Sequence, residues 1–396
     1  MEGFKMRYVT AGESHGPALT AIIEGLPAGL TISEAQINED LHRRQQGYGR
    51  GNRQKIESDH VEISSGVRHQ LTIGSPVTLR VVNDDFRHWQ EIMDPSSEAT
   101  AENSVRKVER PRPGHADLVG GMKYRHHDLR NVLERSSARE TTMRVAVGSV
   151  AKQLLAQIGV EVLGFVRQIG PVSADPTKLN TFADLAALKV ATDQSETRTF
   201  DSDAETKMKV LIDETKKAGD TLGGIVQVLA TGLPVGLGSY VSAETKMDGK
   251  LAQAIIGINA FKGVEFGEGF QFANHPGSEG MDEIFWQKDQ GFYRETDHLG
   301  GFEGGMTNGM PVNIKAVMKP IPTLYKPLRS VDIKTKEAYK ANVERSDTTA
   351  VTAAAVVAEA MTAITLAEAV LDKFDADSMA RLQEQLTNYN EEIKNF

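Results

Sequence analysis

The chain of 396 residues contains no cysteine, carries a net charge of −9, and is 40% hydrophobic and 25% charged. Lack of cysteine excludes disulfides, thiolate nucleophiles and zinc–thiolate centres, and no other metal-ligand spacing appears. The acidic balance argues against general affinity for nucleic acid. The most apolar run, 353–370, is broken by Glu359 and Glu368, which predicts a buried helix and no membrane span. The opening MEGFKMRYVT lacks an apolar signal-peptide core, so a cytoplasmic location is expected, with residues 1–5 read as an extension ahead of Met6.

In chain order, alternation and β-branched content predict strands over 6–10 and 18–24. The turn between them contains GESHG (12–16), where Ser14 and His15 stand at a strand end without an elbow sequence or a partner acid nearby. Ser33 and Gln36 form a capping signature for a helix that runs to Arg44 and stops at Gly47. The Gly-rich GYGRG stretch follows, with Arg50 and Arg53. It is no dinucleotide fingerprint, because no strand precedes it, and it suits a mobile lid.

Strands are expected at 61–64 and 76–83, and a surface loop at 94–104. In RPRPGHAD (110–117), a Pro-Gly turn and an acid position His115. In RNVLERSSARET (130–141), Ser136 and Ser137 are expected at a helix N-terminus framed by Arg135 and Arg139, which reads as an anion site. Ser137 and Glu140 form a capping box for the helix that runs to Gly159, although 145–150 also reads as a strand.

Further on come a strand at 161–169, a surface insertion at 192–206, a charged helix at 203–218 and a strand at 224–230. Asp248 is a candidate cap for the next helix. A glycine-dense run at 298–311 allows close backbone approach, and a strand at 312–318 leads into KPIPT (319–323). Arg345, Ser346 and Asp347 precede the last long helix, about 349–374, either as caps or as a second anion site. Strands and helices alternate without a regular βαβ period, so the expected class is α+β in layers.

Positive residues concentrate in three stretches: His42 to Arg53, Arg106 to Arg112, and Arg125 to Arg144. Arginine density within an acidic chain suggests a pocket for a small polyanion, since the guanidinium fork pairs with carboxylate or phosphate. The residues alone point to an enzyme of a small phosphorylated or polycarboxylate substrate, with His15 and His115 as acid–base candidates. Spacing identifies no cofactor.

Nine segments in order resemble chorismate synthase. They are GESHG (12–16), the RR-to-GYGRG stretch (43–51), RPGHAD (112–117), RSSARET (135–141), GLPVGLG (232–238), INAFKGVEFGEGF (258–270), GGFEGGMTNG (300–309), KPIPT (319–323) and ERSD (344–347). The resemblance implies a single domain over 1–396, folded as a β-α-β sandwich with internal pseudo-twofold symmetry and assembled as a homotetramer. Nothing in the sequence pattern itself displays that symmetry.

The implied reaction is the 1,4-anti elimination of phosphate from 5-enolpyruvylshikimate 3-phosphate to give chorismate. It uses reduced FMN without net redox change, and NADPH is a candidate reductant. By the same resemblance His15 protonates the departing phosphate, His115 sits by the flavin and Asp347 accepts a proton. The polyanion would meet Arg44, Arg50, Arg53, Arg112, Arg139 and Arg345, with Ser14 as a further contact; Arg44 and Arg50 also match NADPH positions. The flavin set would be Arg135, Ser136, Ser137, Asn259, Ala260, Gly304, Lys319, Pro320, Ile321, Pro322, Thr323 and Arg345. Thr348 stands where many relatives have proline, which is expected to loosen the start of the last helix.

Overall fold

A computed structural model describes residues 6–51, 58–98, 100, 104–344 and 346–396. Its first half runs β1 (Arg7–Ala11), β2 (Ala18–Glu24), α1 (Glu34–Gln45), β3 (Val61–Ser65) and β4 (Val77–Val82). Two short helices, α2 (Asp117–Tyr124) and α3 (Arg130–Ser136), lead to α4 (Thr141–Ala156). The second half runs β5 (Glu161–Ile169), α5 (Leu185–Gln194), α6 (Ser202–Lys217), β6 (Gly224–Thr231), α7 (Met247–Ile256), β7 (Phe261–Phe266), β8 (Val312–Met318) and α8 (Val351–Phe374). A final helix, α9, spans Met379–Lys394.

The strands form two antiparallel sheets, ordered β1-β2-β4-β3 and β7-β8-β6-β5, with the short strand Val172–Ser173 extending the second beyond β5. Each sheet therefore takes its strands in the order first, second, fourth, third. With α2 and α3 set aside in the first half, and α5 and α6 in the second, each half also repeats the sequence strand, strand, helix, strand, strand, helix. This topological repeat fits the expected pseudo-twofold sandwich. The helices α1 and α4 lie on the first sheet, α7 and α8 on the second, and α4 packs against α8 between them.

Alternation explains the sheet faces: Leu19, Ala21, Ile23, Val77, Leu79 and Val81 point inward from β2 and β4. The middle layer is buried nearly all round, so its sequence has no polar stripe. That explains why 145–150 reads as a strand yet lies inside α4. Small residues let the two central helices approach closely. A Cβ on Gly148 of α4 would come within 2.4 Å of the Ala360 Cβ on α8. Among the described residues α8 alone is long and apolar enough to cross a membrane, and 94% of its apolar window is buried, as expected of a core helix.

Two local expectations need correction. The stretch 192–206 is no surface insertion: it joins α5 to α6, and Thr197, Arg198, Thr199, Phe200 and Asp201 are buried between them. Asp201, which accepts from the Asp203 and Ala204 N–H groups, caps α6. Asp248 lies within the first turn of α7, where its carboxylate accepts from the Gly249 N–H, instead of capping the helix. Ser33 caps α1 as expected, accepting from the Gln36 N–H.

Candidate active site

The turn after β1 places His15 beside α3. One carboxylate oxygen of the buried Glu134 accepts from the His15 backbone N–H at 2.8 Å, and the other accepts from the ring Nδ1–H at 2.8 Å. The imidazole stacks on Trp89, with centroids 3.9 Å apart and planes at 27°. Arg106 lies over the same indole, 3.9 Å from its centroid. Ser14 is buried and donates its backbone N–H to the Glu134 carbonyl at 2.9 Å.

Asn83, just past β4, connects this turn to the arginines. Its amide donates to the Glu13 and Gly16 carbonyls at 3.2 and 2.8 Å, while its Oδ1 accepts from Arg139 Nε at 2.9 Å. Arg139 also pairs with Asp59 at 2.5 Å, and Arg44 reaches the other oxygen of Asp59 at 3.3 Å and the Thr142 hydroxyl. His15, Arg44 and Arg139, drawn from three separate segments, are thus linked through Asn83 and Asp59.

Asp347 holds the GYGRG stretch. Its Oδ1 accepts from the Gly51 N–H at 2.6 Å, and its Oδ2 lies 3.3 Å from Arg50. A Cβ on Gly51 would sit 3.1 Å from Asp347 Oδ1, so glycine permits the approach. The described part of the stretch is anchored further: the Tyr48 hydroxyl donates to Asp213, and the Tyr48 N–H donates to the Glu196 carbonyl. Thr348 corrects its expectation. Its N–H donates to the Gly49 carbonyl at 2.9 Å, a bond that proline could not make, so threonine tightens this junction. Neither Ser346 nor Asp347 caps α8, whose N-cap is Ala350.

A neighbouring group forms around His115, whose Nδ1–H donates to Asp117 at 2.7 Å. Arg112 grips the same carboxylate through Nε at 2.8 Å and Nη2 at 3.1 Å, and donates to the Thr323 hydroxyl at 2.9 Å. Burial alone would push Asp117 up, but the hydrogen bonds from His115 and Arg112 and their charge hold it well below the usual carboxylate range. Lys319 donates to the Gly114 carbonyl at 3.0 Å, and burial, then the nearby Lys262, lowers its pKa. The Lys319 N–H also donates to the carbonyl of Ala260, a residue at φ 71°. The preceding Asn259 donates to the Ser136 carbonyl at 3.1 Å.

The expected serine site needs correction. Ser136 is the last residue of α3, where its hydroxyl donates to the Val132 carbonyl, so it lies at a helix C-terminus. Ser137 does cap, accepting from the Arg139 N–H, but it caps a single 3-10 turn, Ala138–Glu140, ahead of α4. Arg135 turns away to the Gly12 and Thr10 carbonyls and ties α3 to the end of β1. Arg43, expected in the polyanion cluster, is instead paired inside the core with Glu359 and Asp40. Gly304 lies in the exposed turn of the Phe302–Thr307 hairpin, beside Tyr240 and Met306, apart from these contacts. Arg53, Arg345 and residues 1–5 lie outside the described residues.

The sequence model of the chorismate synthase family matches residues 6–371. The chain belongs to the chorismate synthase family. It is 63% identical to chorismate synthase of Leuconostoc mesenteroides over 99% of this chain and 100% of that one. The counterpart from Limosilactobacillus fermentum is 60% identical over the same shares. A crystal structure of chorismate synthase superposes with a TM-score of 0.79 at 39% identity, covering 99% of both chains. Membership makes this chain an α+β carbon–oxygen lyase that acts on a small molecule. Sequence reasoning missed Glu134, Trp89, Asn83 and Asp59, which contact His15, its turn, Arg139 or Arg44 in this candidate site. Glu134 stands inside the quoted RNVLERSSARET stretch, but 119 residues separate it from His15, so no local spacing announces the pair.

Proposed function

We propose that this chain catalyses the 1,4-anti elimination of phosphate from 5-enolpyruvylshikimate 3-phosphate to give chorismate. The C3–O bond breaks with its electron pair leaving on phosphate, the C6–H bond is lost, and the ring gains a double bond. The carrying observation is the junction at Asn83, which ties the His15 turn to Arg139 and through Asp59 to Arg44. A proton donor beside paired guanidinium groups suits a departing phosphate. His15 donates the proton to that phosphate. Arg44, Arg50, Arg112 and Arg139 hold the anionic groups, with Arg53, Arg345 and Ser14 as further contacts. Asp347 accepts a proton.

The residues present fit reduced FMN. Lys319 supplies a cation beside the open Gly114 backbone, His115 is oriented by Asp117, and the Asn259–Ala260 turn is bonded to both Ser136 and Lys319. Arg135, Ser136, Ser137, Asn259, Ala260, Gly304 and the Lys319–Thr323 segment, with Arg345, would hold it. Reduced FMN, when bound, supplies an electron transiently without net redox change. NADPH would serve as reductant through Arg44 and Arg50. The same reading carries one domain across the chain, a homotetramer and a cytoplasmic location, without nucleic acid or membrane partners.

The test is anaerobic turnover of the phosphorylated substrate with chemically reduced FMN, following chorismate and inorganic phosphate together. Equal amounts of both are expected. Failure to form chorismate with reduced FMN present would sink the reading. Replacing the chemical reductant by NADPH then decides whether the protein reduces its own flavin.

A further inference from the structure

The geometry points to Glu134 as the positioning residue for His15, the group that fixes which ring nitrogen faces the substrate; this rests on the proposed proton-donor role of His15. Glu134 is buried in the last turn of α3, and its two oxygens take two different donors of one residue, the His15 backbone N–H and the ring Nδ1–H, both at 2.8 Å. Holding main chain and ring together leaves the imidazole little freedom about either side-chain torsion. Stacking on Trp89 closes off one ring face. Among the described residues no hydrogen bond engages Nε2. The carboxylate therefore selects the tautomer with hydrogen on Nδ1 when the ring is neutral, and directs proton exchange to Nε2.

Two features separate this arrangement from an ordinary surface ion pair. Arg130 lies 3.6 Å from Glu134 on one side and 3.2 Å from Glu344 on the other. It also donates to the Arg106 carbonyl, so the carboxylate is fixed from behind and joined to the segment that carries Asp347. Second, the acceptor cannot be replaced by an amide without loss. Both His15 partners are donors, and glutamine offers a single oxygen acceptor with an NH2 group facing the other donor. Glu134→Gln keeps the volume while setting an NH2 group against the ring nitrogen. Nδ1 also lies 3.0 Å from the oxygen that takes the backbone N–H, so the amide weakens the ring contact and its tautomer preference without removing every acceptor.

The experiment is a double-mutant cycle on the full-length enzyme, with single-turnover and steady-state rates measured under reduced FMN. It uses His15→Ala, Glu134→Gln, Glu134→Ala and the paired variants. In the presence of His15, either Glu134 substitution is expected to lower kcat about 10–100-fold with KM nearly unchanged. In the His15→Ala background the same substitutions are expected to change kcat by less than about 2-fold, because the group they position is gone. A purely structural role would act equally in both backgrounds. If Glu134→Ala does not fold, the Glu134→Gln arm carries the cycle alone.

A nitrogen-15 spectrum of histidine-labelled enzyme supplies the second readout, with the neutral ring of His15 expected to hold its hydrogen on Nδ1 in the unmodified enzyme and to show a weaker preference in Glu134→Gln. Additive rate effects alongside a strongly impaired His15→Ala enzyme would overturn the positioning role alone, as would hydrogen on Nε2 in the unmodified enzyme. An unimpaired His15→Ala enzyme would overturn the proton-donor reading itself, and this inference with it.

Discussion

Arg43 and Arg44 are consecutive residues of α1, both almost fully buried, and they enter two different networks. Arg43 faces inward, to Glu359 on α8 at 2.7 Å, Asp40 at 2.8 Å and Asp193 at 2.9 Å. Lys152 of α4 meets Asp40 and Glu359, and Arg198 meets Asp193, so each of these carboxylates is shared by at least two cations. Arg44 is rotated about 100° further round the helix and faces Asp59 and Thr142, beside the His15 turn. The first network closes among core elements; the second lies where loops from three segments meet. Residue type and local density are therefore poor guides to which network an arginine joins. The facing element decides.

The largest effect that would test this contrast is expected in the core. Burial alone would push Glu359 up, but Arg43 and Lys152 hold it well below the usual carboxylate range, and its Oε2 also accepts from the Gly164 N–H at 2.8 Å. Removing it leaves two cations buried without that partner. Glu359→Ala is expected to lose about 3–5 kcal/mol of stability, read as a lower midpoint in urea. A loss below about 1 kcal/mol would mean that the network is not structural.

Arg44→Ala should show the opposite pattern. Its kcat/KM is expected to fall about 100-fold, roughly 2.7 kcal/mol of transition-state stabilisation, while the stability read from urea unfolding changes by less than about 1 kcal/mol. Equal behaviour of Arg43→Ala and Arg44→Ala in both assays would erase the distinction between the networks.

The fold was legible where side chains face water on one side. The strands of both sheets and α1 with its Ser33 cap follow from alternation and capping chemistry. Legibility failed where burial removes the pattern, as in the strand-like Val145–Val150 of α4, and where threonines and charges are buried between helices, as at Thr197–Asp201. The short helices α2, α3 and α5 carry too few turns for a periodic signal, which is why Ser136 was expected at the wrong end of a helix. At the site, motifs supplied His15, His115, Arg139 and Asp347 as candidates. His115 is held by Asp117 within its own motif, but the partners of His15 and Arg139, namely Glu134, Asn83 and Asp59, come from distant segments, and one chain sequence contains no record of such contacts.

The smallest expected effect concerns an acid without the cations that stabilise Glu359. Asp297 lies before the glycine-dense run, with Oδ1 buried and lacking a hydrogen-bond partner among the described residues. Burial pushes its carboxyl up to about 7, against the N–H groups of Gly301 and Gly300, which favour the charged form; Asp282 nearby pushes it the same way as burial. The folded state therefore holds this proton more tightly than the unfolded chain, whose aspartate titrates near 3.8. Between those values the native state binds more protons, so this group's contribution to stability falls as pH rises from about 4 to about 7. Above about 7 the charge stays as a constant penalty. Asp297→Asn keeps a carbonyl acceptor and removes the charge. It is expected to unfold at a higher temperature than the unmodified protein at pH 8, by about 1 kcal/mol after allowing for solvent screening, and to match it at pH 4.5. Thermal unfolding of both proteins at the two pH values is the measurement. A gain of equal size at both would assign the effect to packing, whereas a gain confined to pH 8 would show that a buried carboxylate destabilises this fold wherever the cations of the Glu359 network are missing.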